Sequence, residues 1–120
     1  MKILIVDDSR AMRMIVKRTL RQAGYGDHEV EEAEDGKEAL GMLEKSSFGL
    51  VLTDWNMPNM TGIELAEHIK ANGPKVKLGF VTTEGTPEMR ARATEAGGLF
   101  LIAKPFTADD FKSALDAVIK

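Results

Sequence analysis

The apolar positions of the chain fall into short continuous runs: "ILIV" (3–6), "GLVLT" (49–53), "LGFVT" (78–82) and "LFLIA" (99–103). A further run, "HEVEEA" (28–33), mixes apolar with acidic residues and reads as a more exposed strand. Unbroken apolar runs of this length suit parallel strands buried on both faces. Between the runs the period becomes helical. Met12, Ile15, Val16 and Leu20 form one stripe; Ala39, Leu40 and Leu43 a second; Ile63, Ala66 and Ile69 a third; Phe111, Leu115, Val118 and Ile119 the last.

Helix boundaries are marked by chemistry. Asp35 precedes Glu38, Thr61 precedes Glu64 and Thr107 precedes Asp110, each an oxygen cap with an acid three residues on. Thr86-Pro87 puts proline at a first helical position. Gly24, Gly73 and Gly97 can end helices. The order is βαβαβαβαβα, and short-looped alternation predicts an α/β doubly wound sandwich with a parallel sheet and helices on both faces. No repeat, linker or low-complexity segment interrupts it.

Composition narrows the picture. The 120 residues suit one domain, 1–120, able to bury roughly two thirds of its unfolded surface. A net charge of −3 argues against nonspecific binding of nucleic acid, which depends on clustered cations. The absence of cysteine excludes disulfides and thiolate metal sites and fits a reducing cytoplasm. In "MKILIVDD" two aspartates cut the apolar run too early for a signal peptide, and no stretch approaches the ~20 apolar residues of a membrane span.

In such sheets ligands bind at the carboxyl ends of the strands. Asp7-Asp8 end the first strand, Asp54 the third, Thr82-Thr83 the fourth and Lys104-Pro105 the fifth. Three carboxylates sharing one edge cannot all stay ionised unaided: at an effective dielectric of 20, a like-charge pair at 4 Å costs about 4 kcal/mol. A hard divalent cation compensates, and Mg2+ favours carboxylates, water and phosphate oxygens. One carboxylate is then a nucleophile toward a phosphoryl group, with Thr82 and Lys104 steadying the charge that develops. Asp54, on the middle strand of the group, is the candidate nucleophile. Asp8 would hold the metal, Asp7 would assist, and Asn56 could lend its backbone carbonyl. A flavin phosphate is disfavoured here, because Asp7-Asp8 would repel it, and the GxGxxG dinucleotide fingerprint is absent. Taken singly, Asp7-Asp8 would be helix N-terminal acids, Asp54 a turn residue, Thr82 a strand residue and Lys104 a solvated lysine; their conjunction carries the reading.

The set Asp7-Asp8, Asp54, Thr82 and Lys104-Pro105 resembles the receiver domain of two-component response regulators, over essentially the whole chain. The stretches "DDSRAMR", "DWNMPNM" with Gly62, and "KPF" look most like the single-domain chemotaxis regulators of that family. The resemblance implies a flavodoxin-like (βα)5 fold of strand order 2-1-3-4-5. It implies Asp54 as phosphoacceptor, Mg2+ held by Asp7, Asp8, Asp54 and the Asn56 carbonyl, and phosphoryl contacts from Thr82 and Lys104. It also implies a cis Lys104-Pro105 bond and a phosphate lifetime tuned at Asn56 and Glu84. The implied partners are a histidine kinase as phosphodonor, a flagellar motor switch protein or other protein target, and a phosphatase. A cytoplasmic monomer is expected, with charge and hydropathy speaking against nucleic-acid binding and membrane insertion, and with no conventional enzyme activity beyond self-phosphotransfer and autodephosphorylation. The alternatives are a phosphorelay intermediate, a phosphate sink, a small Mg2+-dependent phosphatase with an aspartyl-phosphate intermediate, or an interaction scaffold.

One position departs from the family. Its aromatic switch residue, three before the lysine, is here Leu101, and alternation points Phe100 to the other face. A weaker or different switch is expected. Trp55 is expected to be partly exposed at the site's edge. Arg90 and Arg92 are expected on a solvated helix face, Met12 and Met14 in helix packing, Met57 and Met60 in loop packing, and His28 and His68 in surface or structural places.

Overall fold

The computed structural model describes residues 1–57, 59–72, 76–83 and 85–119. Pro58, Gly73 and Glu84, all singled out from the sequence, lie outside the described residues.

Each apolar run becomes a strand: β1 (Lys2–Val6), β2 (Glu29–Ala33), β3 (Leu50–Thr53), β4 (Lys77–Thr82) and β5 (Leu101–Ala103). They form one parallel sheet in the order β2-β1-β3-β4-β5, the flavodoxin-like order the resemblance implied. The helices are α1 (Arg10–Leu20), α2 (Gly36–Lys45), α3 (Gly62–Asn72), α4 (Pro87–Glu95) and α5 (Ala108–Ile119). A short π-helical stretch, Arg21–Tyr25, extends α1 and is broken at Gly24, whose φ of 96° suits a residue without Cβ.

Strand alternation divides the interior in two. Leu4, Val6, Val51, Leu78, Phe80 and Leu101 face α2, α3 and α4, where Ala39, Ile63, Ala66, Ile69 and Ala93 meet them. Ile3, Ile5, Leu50, Leu52, Val81 and Ile102 face α1 and α5, covered by Val16, Leu20, Phe111 and Leu115. Phe100 packs on this second side and Leu101 on the first, as alternation requires.

The caps form as expected. Asp35 accepts from the Glu38 N–H at 2.9 Å, and Thr86 caps α4 with Pro87 behind it. Thr61 with Glu64, and Thr107 with Asp110, exchange bonds in both directions. Two expectations fail on α1. Its inward stripe is Met12, Val16 and Leu20, which leaves Ile15 at the border and Met14 60% exposed. The fifth strand is shorter than its apolar run: Leu99 follows the Gly97–Gly98 turn and is half exposed.

Candidate functional site

The sheet register carries past the strand ends and sets the site. Asp7 N–H donates to the Ala33 carbonyl (3.1 Å), Asp54 N–H to the Val6 carbonyl (2.8 Å) and Lys104 N–H to the Thr82 carbonyl (2.7 Å). The residues just beyond β1, β3 and β5 are thereby aligned on one edge.

Asp7, Asp8 and Asp54 each offer a carboxylate oxygen, and these oxygens lie within 4.8 Å of one another. Their exposures form a gradient: Asp7 is buried, Asp54 half-buried and Asp8 exposed. Each Asp7 carboxylate oxygen has a partner: Oδ1 accepts from Ser9 N–H at 2.9 Å, and Oδ2 pairs with Lys104 Nζ at 3.3 Å. The same ammonium stands 3.7 Å from Asp54 Oδ1, which also accepts from Trp55 N–H at 2.8 Å. Lys104 precedes a cis proline bond to Pro105. Thr82, the last residue of β4, is buried. Asn56 is exposed, two residues beyond Asp54.

Burial pushes the Asp54 carboxyl above the ordinary carboxylate range. Lys104 pulls it back, Asp7 pushes it up again, the Trp55 N–H lowers it, and Asp8 adds a last upward push. The fit to a hard divalent cation rests on this chemistry. The donors are all oxygen, the three acids carry more negative charge than Lys104 offsets, and Asp54 is under strain from like charge.

The helix after Asp54 comes unusually close. Gly62 N–H donates to the Trp55 carbonyl at 2.8 Å, and a Cβ at Gly62 would lie 2.1 Å from the Asp54 carbonyl oxygen. Only glycine lets α3 start there, which accounts for Gly62 in the motif quoted from the sequence.

One placement corrects the sequence reading; the others bear it out or add contacts to it. Trp55 is buried, its ring 5.2 Å from that of Phe80, because the chain turns its indole inward under α4. Arg92 is exposed yet sits 5.9 Å above the Trp55 ring. Arg90 is also exposed yet donates to the Leu101 carbonyl (3.2 Å) and the Gly85 carbonyl (3.4 Å). His28 stacks on Tyr25 and contacts the N-terminal ammonium, whereas His68 is exposed. Met57 is buried and Met60 half-buried. Arg13, which composition and periodicity gave no reason to single out, is buried immediately behind the acids. Its place one turn after the cap Ser9 was the available signal.

The family model described as response regulator receiver domain matches residues 3–116. Chemotaxis protein CheY-3 of Vibrio cholerae is 45% identical over 122 aligned positions, covering 100% of this chain and 92% of that protein. Chemotaxis protein CheY of Pseudomonas aeruginosa is 40% identical, covering 100% of this chain and 97% of that protein. The solved structure of Vibrio cholerae chemotaxis response regulator CheY4 superposes with a TM-score of 0.86 at 35% identity, over 98% of each chain.

Proposed function

The chain belongs to the response regulator receiver domain family, and from that premise we propose that it is a stand-alone, cytoplasmic response regulator of chemotaxis, phosphorylated on Asp54 by a histidine kinase. The observation that carries the reading is the convergence of three carboxylate oxygens within 4.8 Å, two of the acids bridged by Lys104. No described helix is long and apolar enough to cross a membrane.

In the proposed reaction an Asp54 carboxylate oxygen attacks the phosphorus of a phosphohistidine. A P–O bond forms, the P–N bond breaks, and the leaving imidazole nitrogen keeps the electron pair and takes a proton from solvent. Asp7, Asp8, Asp54 and the Asn56 carbonyl would hold Mg2+, which when bound offsets charge on the transferring phosphoryl oxygens. Lys104 leaves its pairing with Asp7 and Asp54 to meet one of those oxygens, and the Thr82 hydroxyl donates to another. The new charge favours one of two pre-existing arrangements of β4, α4 and β5. A surface depression of about 450 Å³ between α4, β5 and α5, lined by Arg90, Leu101, Ala103, Asp110 and Ala114, suits a protein target such as a motor switch protein.

Incubation with acetyl phosphate and Mg2+, read by intact mass, is expected to add one phosphoryl group to the parent and none to Asp54→Asn. An unmodified parent would reduce the chain to an interaction scaffold. Sustained turnover of an organic phosphate would favour the phosphatase alternative.

A further inference from the structure

Arg13 is a charged residue of α1 with only 7% of its surface exposed. A buried guanidinium is tolerated only where its donors are satisfied. Two of them are: Nη1 donates to the Asp7 backbone carbonyl at 2.6 Å, and Nε donates to Glu32 Oε1 at 2.9 Å. Glu32 lies on β2, paired in register with Ile5 of β1. Arg13 therefore joins three elements at the root of the acidic group.

The carbonyl it holds belongs to the peptide between Asp7 and Asp8. The opposite side of Asp7 is held through its N–H by Ala33, at 3.1 Å. Together these bonds fix the plane of the peptide that carries Asp8. The Asp7 carboxylate has its own anchors in Ser9 and Lys104. The Asp8 carboxylate is exposed and has no ion pair or hydrogen bond among the described residues. Its aim is set by its backbone, and Arg13 holds that backbone.

We propose that Arg13 is a positioning residue for the cation site: anchored by Glu32, it orients the Asp7–Asp8 peptide so that the Asp8 carboxylate is preset for Mg2+. The inference rests on the reading of the acids as a Mg2+ site. Groups that orient ligands from behind change metal affinity by about 10–100-fold when removed. Arginine suits the task because its planar, rigid guanidinium reaches the two acceptors from two fixed nitrogens, Nε and Nη1, a geometry that the single nitrogen of an ammonium cannot reproduce.

The sign of the effect separates this role from a simple charge. A nearby positive charge opposes cation binding, so if Arg13 acted only through charge, its removal would tighten Mg2+ binding. If it positions Asp8, removal weakens it. The experiment is calorimetric titration of the intact chain with Mg2+, on the parent, Arg13→Met, Arg13→Lys and Asp8→Asn, with urea unfolding of each metal-free protein alongside. Arg13→Met is expected to weaken Mg2+ binding by about tenfold or more. Arg13→Lys, which keeps the charge and is the variant judged if Arg13→Met does not fold, is also expected to weaken it. Asp8→Asn is expected to abolish it. Tighter binding in Arg13→Met, or parental affinity in Arg13→Lys, overturns the inference. So do variants that lose only unfolding stability and bind Mg2+ within twofold of the parent. A parent with no saturable Mg2+ heat overturns the metal reading itself, and the inference with it.

Discussion

Asp54 carries an unfavourable charge in the metal-free protein. Burial and the two neighbouring acids outweigh the help it receives from Lys104 and the Trp55 N–H, and its carboxyl is raised above the ordinary range. A carboxyl raised in the folded state binds more protons there than in the unfolded chain, at any pH between the two values. Stability therefore falls as pH rises through that window, and the loss persists above it. Asparagine at 54 cannot ionise and escapes the penalty. Asp54→Asn is expected to be more stable than the parent at neutral pH without Mg2+, with the difference closing as pH falls toward the ordinary aspartate value of ~3.9. Urea unfolding of both proteins across that range checks it. A parent at least as stable as the variant at neutral pH would show that Lys104 outweighs the crowding after all.

At the scale of the element, α4 is attached differently from its neighbours. It has one buried side chain within its span, Ala93, whereas α3 buries Ile63, Leu65, Ala66 and Ile69. Two arginines supply what the apolar stripe lacks. Arg92 lies over Trp55, next in sequence to Asp54, and Arg90 bonds the carbonyls of Gly85 and Leu101. The second tie spans the β4–α4 loop and β5 at the position where the family carries an aromatic ring. Arg90→Ala is expected to cost about 0.5–1.5 kcal/mol, the usual worth of such bonds, and to speed amide hydrogen exchange at Gly85 and Thr86. Unchanged unfolding and unchanged exchange would make both contacts incidental. These ties also mark where sequence reading stops. The strands, the caps and the strand-end acids were legible because each depends on local pattern: apolar runs, an oxygen followed by an acid, a carboxylate closing a strand. The contacts of Arg13, Arg90, Arg92 and Trp55 were not, because long side chains reach partners on other elements, up to 37 residues away in sequence, which no local pattern reports. Met14 was misjudged for a related reason: helical spacing gives the width of an apolar face but not where its border falls.

The whole molecule is what makes the site. Asp8 and Asp54 are far apart in the chain and meet only because β1 and β3 are adjacent in the parallel sheet, Val6 beside Thr53. The unfolded chain has no such edge, so a cation held there binds the folded state and stabilises it by mass action. At a hundredfold excess over its dissociation constant the gain is about 2.7 kcal/mol for one site. Mg2+ at that excess is therefore expected to raise the unfolding free energy by that amount in the parent and by nothing in Asp8→Asn, measured in urea at neutral pH. The same addition should narrow the gap between the parent and Asp54→Asn, since a bound cation relieves the crowding that penalises Asp54. Monovalent salt at matched ionic strength screens exposed charges without occupying the site, and is expected to give only a small, nonsaturable change. If Mg2+ and the matched salt raise stability equally in the parent and in Asp8→Asn, the acids act as a charged surface and not as a site. If only the parent responds, and saturably, the sheet topology is itself part of the binding reaction: folding brings the ligands together, and the cation returns that free energy to the fold.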